Sequence, residues 1–221
     1  MNEVVKELFE LAEETYKRFN ENVVKGNSPI FGVRIPTLRK ISNKIIKEKK
    51  VDKFFSEYEG NYFEEKLIKG VIIASKEEMF MQYNDEYKYE LDSWCLVDTY
   101  SNSLKFIDKK KDKYWELVKS LLNSKEEFVI RLGYVLMLNY YLTDNYIDEV
   151  IELCKRQYEE YYVNMAIAWV ISEIYINNPK KVNKLLEDKC LNSFVHEKSI
   201  DKICDSFRVK ESDKRKLREL K

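Results

Sequence analysis

The sequence predicts an all-α fold built from stacked antiparallel helix pairs, and three observations predict it. Gly (5) and Pro (3) are scarce in 221 residues. Strand-rich folds need many tight turns, and those turns draw on Gly and Pro. Apolar residues recur at spacings of three and four along most of the chain, the period of a helix with one buried face. Comparable apolar helices also reopen at a repeat of 30 to 35 positions.

The first helix is expected over 3–24, where Val4, Val5, Leu8, Leu11, Ala12, Thr15, Tyr16 and Phe19 follow the three–four rhythm. Lys25-Gly26-Asn27-Ser28-Pro29 ends it. Pro36 opens the next helix, because its missing N–H would be unpaired in a first turn anyway. Short helices follow over 51–58, 62–75 and 77–88. A central helix spans about 92–104, with Asp92 or Ser93 as its N-cap. Further helices are expected over 111–123, 126–142, 145–158 and 161–177. Asn177-Asn178-Pro179 closes the last of these, since Pro cannot continue the ladder. Segments 179–188 and 193–206 lead into a charged tail over 208–221.

Glu127-Phe128-Val129 and Tyr161-Tyr162-Val163 open comparable helices 34 positions apart, and Phe63 and Ser93 open earlier ones. A helix pair of that length cannot bury its apolar face alone, so successive pairs stack. The degenerate repeat is closer to HEAT-like or armadillo-like units than to tetratricopeptide or ankyrin signatures. The expected architecture is therefore a curved α-α solenoid, a single HEAT-like-repeat domain over 1–221. In it, consecutive second helices line one concave face.

Lys plus Arg and Asp plus Glu number 39 each, so the net charge is zero and supplies no overall pull towards nucleic acid or membrane. The four cysteines form no C-x-x-C pair and read as reduced, mostly buried thiols. With a single histidine, His196, neither a zinc hydrolase site nor a Ser-His-Asp triad is expected. No apolar run approaches the roughly 20 residues of a membrane span. The start Met1-Asn2-Glu3 lacks the basic opening of a targeting peptide. These features give a cytoplasmic protein with no membrane partner, no metal and no cofactor.

Candidate functional residues centre on Asp92-Ser93-Trp94-Cys95-Leu96-Val97-Asp98. Trp94 and Asp98 are four apart and share a helix face. Taken alone, Trp94 and Trp169 read as core residues, the usual fate of a helix Trp. Asp98 lies on an otherwise apolar stripe, and Arg131 lies inside the apolar run 128–138. A buried carboxylate or guanidinium needs a partner. The residues leave two readings level: a structural Asp98–Arg131 ion pair, or a charged patch on the concave face. Arg34, Arg39 and Lys40 cluster at the helix start near Pro36, where oriented amides and cations can receive a phosphate. The ordinary alternative is a solvated helix terminus.

Four segments in order resemble the bacterial DNA alkylation repair glycosylases with HEAT-like repeats, the AlkD family. They are Gly32-Val33-Arg34-Ile35-Pro36-Thr37-Leu38-Arg39, then Ser93-Trp94-Cys95-Leu96-Val97-Asp98, then Phe128-Val129-Ile130-Arg131, and last Ala166-Ile167-Ala168-Trp169-Val170-Ile171-Ser172-Glu173 with Asn178-Pro179. The resemblance covers nearly the whole chain. It implies that Trp94 packs against the DNA backbone at the lesion, that Asp98 is the catalytic carboxylate, that Trp169 is a second aromatic wall and that Arg131 contacts the backbone. It further implies excision of positively charged alkylpurines, such as 3-methyladenine and 7-methylguanine, from damaged double-stranded DNA without a metal. It places the protein in the bacterial cytosol, acting at the nucleoid as a monomer.

The chemistry suits the residues. A cationic purine is a good leaving group, and a carboxylate stabilises the positive charge that develops on the sugar and orients a water. No lysine is placed as a Schiff-base nucleophile, so a monofunctional glycosylase is expected. Arg34, Arg39, Lys40, Lys66, Lys69 and Arg131 are the cations expected to track phosphate, with weaker and more salt-sensitive binding for a neutral chain. Ser93 stands where some relatives carry another Trp. The alternatives are a non-catalytic DNA-structure binder or a protein-interaction scaffold.

Overall fold

A computed structural model describes residues 2–221 as helices joined by short connections, with no strand among the described residues. The chain divides into two units, residues 1–109 and 110–221, each with its own core.

The first unit contains α1 (Glu3–Glu10), α2 (Glu14–Val24), α3 (Ile35–Lys47), α4 (Val51–Glu57), α5 (Phe63–Ala74), α6 (Glu77–Tyr87) and α7 (Trp94–Ser103). Helix α5 packs between α3 and α7 and pairs with α6. It is buried almost all round, as an inner helix is, with its charged residues Glu64, Glu65, Lys66 and Lys69 each held by a partner and Ile68, Ile72 and Ile73 fully buried. Each such isoleucine side chain contributes roughly 1.5–3 kcal/mol relative to exposure.

The expected helix over 3–24 is two helices. α1 stops where the Leu11 amide closes on the Glu7 carbonyl at 3.1 Å. Glu13 is extended, and its amide donates to the Gly32 carbonyl at 3.1 Å. That long-range bond outbids one more helical turn. It also rotates the apolar stripe outwards: Leu11 is exposed and Phe19 is 59 % exposed, where the sequence pattern placed both in the core. Gly32 has φ +95°, and a Cβ there would lie 2.7 Å from the Glu13 carbonyl oxygen, so only glycine fits.

The second unit contains α8 (Lys111–Leu121), α9 (Glu127–Tyr140), α10 (Ile147–Leu153), α11 (Tyr161–Asn177), α12 (Pro179–Glu187), α13 (Ser193–Asp205) and α14 (Glu211–Glu219). Helix α11 packs between α9 and α13, the arrangement expected of stacked repeats. Pro179 sits in the first turn of α12, as its fixed φ favours. α10 is shorter than the 145–158 expected, and much of the charged tail is the helix α14. Trp115, Tyr141 and Tyr146 form a ring cluster with centroids 4.8 to 5.1 Å apart, pinning α8 to the α9–α10 connection. The Trp115 indole finds its polar partner in Glu149, at 2.8 Å.

Candidate nucleic-acid interface

Helix α7 carries the central motif. Ser93 is its N-cap, with Oγ accepting from the Leu96 amide at 3.5 Å. That settles the choice between Asp92 and Ser93 and gives Asp92 different work. Cys95, Leu96, Val97, Tyr100 and Ser101 are buried. The remaining side of the helix presents Trp94, Asp98 and Asn102 at successive four-residue steps, with Thr99 and Ser103 beside them. Trp94 and Asp98 are half-buried and Asn102 is exposed. Neither Trp94 nor Asp98 is a core residue.

The start of α7 is clasped by the loop that ends α2. Trp94 Nε1 donates to the Val23 carbonyl at 3.1 Å. Ser28 Oγ donates to Asp92 Oδ2 at 2.5 Å, and Lys66 Nζ lies 2.9 Å from the same oxygen. Lys25 adopts a left-handed conformation that turns the chain into this loop. The indole is therefore held by its edge, with its plane fixed before anything binds.

The far end of the same face is met by α3. Arg39 Nη1 donates to Ser103 Oγ at 3.1 Å, and Ser103 Oγ donates to the Thr99 carbonyl at 2.7 Å. Lys40 follows, exposed. The Asp98 charge is felt inside the helix: burial first, and the neighbouring Asp98 carboxylate second, push the Cys95 thiol up to about 11.

The other cations are differently placed. Lys66 belongs to the Asp92 clasp. Lys69 lies 2.5 Å from Glu90 Oε1, with Nζ 4.1 Å from the Tyr58 ring centroid. Both side chains are under 15 % exposed. Arg34 is exposed and makes a forked pair with Glu13, at 2.8 to 3.1 Å, over the Tyr16 ring. Its hydrogen bond to Glu13 holds the arginine above and the carboxyl below their usual values.

Arg131 and Trp169 belong to the second unit. Arg131, on α9, is 5 % exposed, and its Nη1 donates to the Tyr162 carbonyl at 2.9 Å. Trp169 is half-buried on α11, in a row with Tyr161, Met165 and Glu173 at four-residue steps.

A buried residue that sequence reasoning missed holds the motif around Gly32. Glu64, fully buried on α5, accepts the amides of Phe31 (3.1 Å), Gly32 (2.8 Å) and Val33 (3.2 Å). Burial pushes its carboxyl above the ordinary value, against the downward pull of those three amides. The available signal was the pair Glu64-Glu65 in the first turn of a helix whose later residues are mostly apolar; both carboxylates are buried.

A large cleft lies elsewhere. Glu3, Glu7, Glu10, Glu57 and Glu59 line an open hollow of about 890 Å³ with Lys6, Lys53 and Tyr58. Its carboxylates repel phosphate, so size does not make it the nucleic-acid site. Among the described residues no helix is long and apolar enough to cross a membrane.

A family model described as DNA alkylation repair enzyme matches residues 4–203. Comparison with curated proteins and with solved structures gives no match.

Proposed function

We propose that this chain, which belongs to the DNA alkylation repair enzyme family, is a monofunctional glycosylase that releases cationic alkylpurines such as 3-methyladenine and 7-methylguanine from duplex DNA. The observation that supports it best is the open face of α7. A carboxylate, Asp98, stands four residues from an indole whose edge is already fixed by the Val23 carbonyl.

In a cationic alkylpurine nucleotide the C1′–N bond breaks with its electron pair going to the base, which leaves neutral. Positive charge builds on C1′ and the ring oxygen. Asp98 stabilises that charge and orients a water; the water oxygen bonds to C1′ and its proton passes to the carboxylate. No general acid is needed for the leaving group. Trp94 packs against the sugar-phosphate and keeps bulk water away from Asp98, and Trp169 supplies a second aromatic surface. Arg39 and Lys40 meet phosphates next to the face, and Arg34 does so by exchanging Glu13 for a phosphate. Lys66 and Lys69 act through the pairs that hold Asp92 and Glu90. Arg131 acts through the α11 backbone. We read the chain as a single helical-repeat domain working as a monomer in the bacterial cytosol.

The test is release of free 7-methylguanine from methylated duplex DNA by wild type and by Asp98→Asn. Release by wild type that falls at least a hundredfold in Asp98→Asn, with DNA affinity kept, supports the reading. Wild-type DNA binding without release leaves a non-catalytic DNA-structure binder. Absence of both leaves a protein-interaction scaffold, which the zero net charge favours.

A further inference from the structure

The N-terminal ends of α9, α11 and α13 lie side by side in the second unit and carry a row of aromatic rings. Phe128 meets Tyr162 at 5.4 Å between centroids, Tyr162 meets Tyr161 at 5.1 Å, and Tyr161 meets Phe194 at 5.7 Å. Tyr161 is 55 % exposed, and the other three are half-buried. The row is fixed from beneath. Glu127 Oε1 accepts the Tyr162 amide at 2.6 Å, the buried Arg131 donates to the Tyr162 carbonyl, and Asn192 Nδ2 donates to Asn164 Oδ1 at 3.2 Å.

Carboxylates flank these rings. Glu126 and Glu160 are the N-cap residues of α9 and α11, and Glu159 and Glu197 are exposed beside them. The cations at this end are Lys125, which is exposed, the buried Arg131, and Lys198, which reaches Asp201 at 3.5 Å. Lys198 Nζ also stands 6.0 Å from the Phe194 centroid, so one ring of the row already receives a cation. Glu160 Oε2 accepts the Glu159 amide at 3.1 Å, and the negative charge that Glu126, Glu159, Glu160 and Glu197 bring to these helix starts argues against a nucleic-acid strand here. Ring faces bordered by carboxylates favour a planar cation that can stack and donate hydrogen bonds at once.

We propose that this row is a docking strip for an extended arginine-containing segment of a partner protein. Alternate side chains of an extended segment are spaced roughly 6.7 Å apart, wider than the 5.1 to 5.7 Å between neighbouring ring centroids, and the long arginine side chain takes up the difference. Arginines at every second position therefore lay successive guanidinium groups on the rings and offer their edges to Glu126 and Glu160. This inference does not depend on the glycosylase reading.

The probe is a fluorescently labelled peptide of alternating Arg and Ser, titrated with the full chain and read by anisotropy. A lysine-for-arginine peptide and a twelve-residue oligothymidylate serve as comparisons. Wild type is expected to bind the arginine peptide saturably, and the lysine peptide several-fold more weakly. Tyr161→Ser, and separately Glu126→Gln with Glu160→Gln, are each expected to weaken arginine-peptide binding at least tenfold. The glutamine pair keeps volume and hydrogen bonding, so it decides the matter should Tyr161→Ser lower the melting temperature. Absence of saturable binding by wild type overturns the proposal, as does binding that the glutamine pair leaves unchanged. Oligothymidylate binding that falls in Tyr161→Ser while peptide binding does not makes the strip a nucleic-acid surface and overturns it equally.

Discussion

The indole Nε1 of Trp94 donates to the main-chain carbonyl of Val23 at 3.1 Å, across 71 positions of sequence. An aromatic surface for DNA contact is most effective when its orientation is settled before binding, because no ordering cost then falls on the complex. Trp94→Phe keeps a ring but removes the donor. It is expected to lower stability by about 1 kcal/mol and to weaken binding to methylated duplex DNA two- to fivefold. Trp94→Ala is expected to cost more than tenfold. Equal affinities for the two variants, measured by anisotropy, would mean that the ring does not touch DNA.

The cations fall into two groups that salt dependence separates. Arg39→Ala or Lys40→Ala is expected to reduce the slope of log affinity against log salt by about 1, as loss of one phosphate contact does. Lys66→Met is expected to leave that slope unchanged and instead to lower stability by roughly 1–3 kcal/mol, because it leaves the Asp92 carboxylate with the Ser28 hydroxyl but without its counter-charge. Among the described residues Asp92 Oδ1 is buried without a hydrogen-bond partner, and Oδ2 takes the bonds from Ser28 and Lys66. Urea melts and binding isotherms over 50–200 mM salt distinguish the groups.

Glu64 gives a pH dependence with a definite sign. Burial raises its folded-state value above the ordinary 4.5. Folding therefore favours the protonated form, and this contribution is fully present below the unfolded value and lost as pH rises through the folded one. The stability margin of wild type over Glu64→Gln is expected to shrink between pH 4 and pH 7 in urea melts. A margin that grows with pH would show the three amides outweighing burial.

Thiol reactivity should follow placement. Cys190 is exposed, whereas Cys95 and Cys154 are buried. Burial raises the Cys95 thiol to about 11 and pushes Cys154 higher still, so neither supplies much thiolate at pH 8. An aromatic disulfide reagent at that pH is expected to modify Cys190 rapidly, Cys204 more slowly, and the other two only after denaturation. Four equally fast thiols would contradict the packing around α7 and α9.

Most helices were legible because each is set by its own sequence: the apolar period, Pro36 and Pro179 at helix starts, Ser93 as a cap. The break between α1 and α2 was not, because Leu11 and Ala12 continue the helical pattern and only the distant Gly32 carbonyl draws Glu13 away. The pairing of Trp94 with Asp98 on one open face followed from their spacing. The partners of Lys66, Lys69 and Arg131 did not, since Asp92, Glu90 and the Tyr162 carbonyl are brought to them by packing between helices rather than along one. Glu64 escaped notice for the same reason: three consecutive amides in a loop ask for an acceptor, but nothing local says where it comes from.

The clasp on α7 also bears on how the first unit comes apart. In a stack of repeats each unit touches its neighbours, and such a stack can fray one pair at a time from either end. The bonds from Val23 to Trp94 and from Ser28 to Asp92 reach past α3 through α6 and fasten the end of α2 and the loop after it directly to the start of α7. Unwinding the end of α2 breaks the Val23 bond, and releasing the start of α7 breaks both. Residues 14–103 are thus laced into one cooperative block, in which amide exchange of α2 rises and falls together with that of α7 instead of tracking its nearness to the chain's beginning.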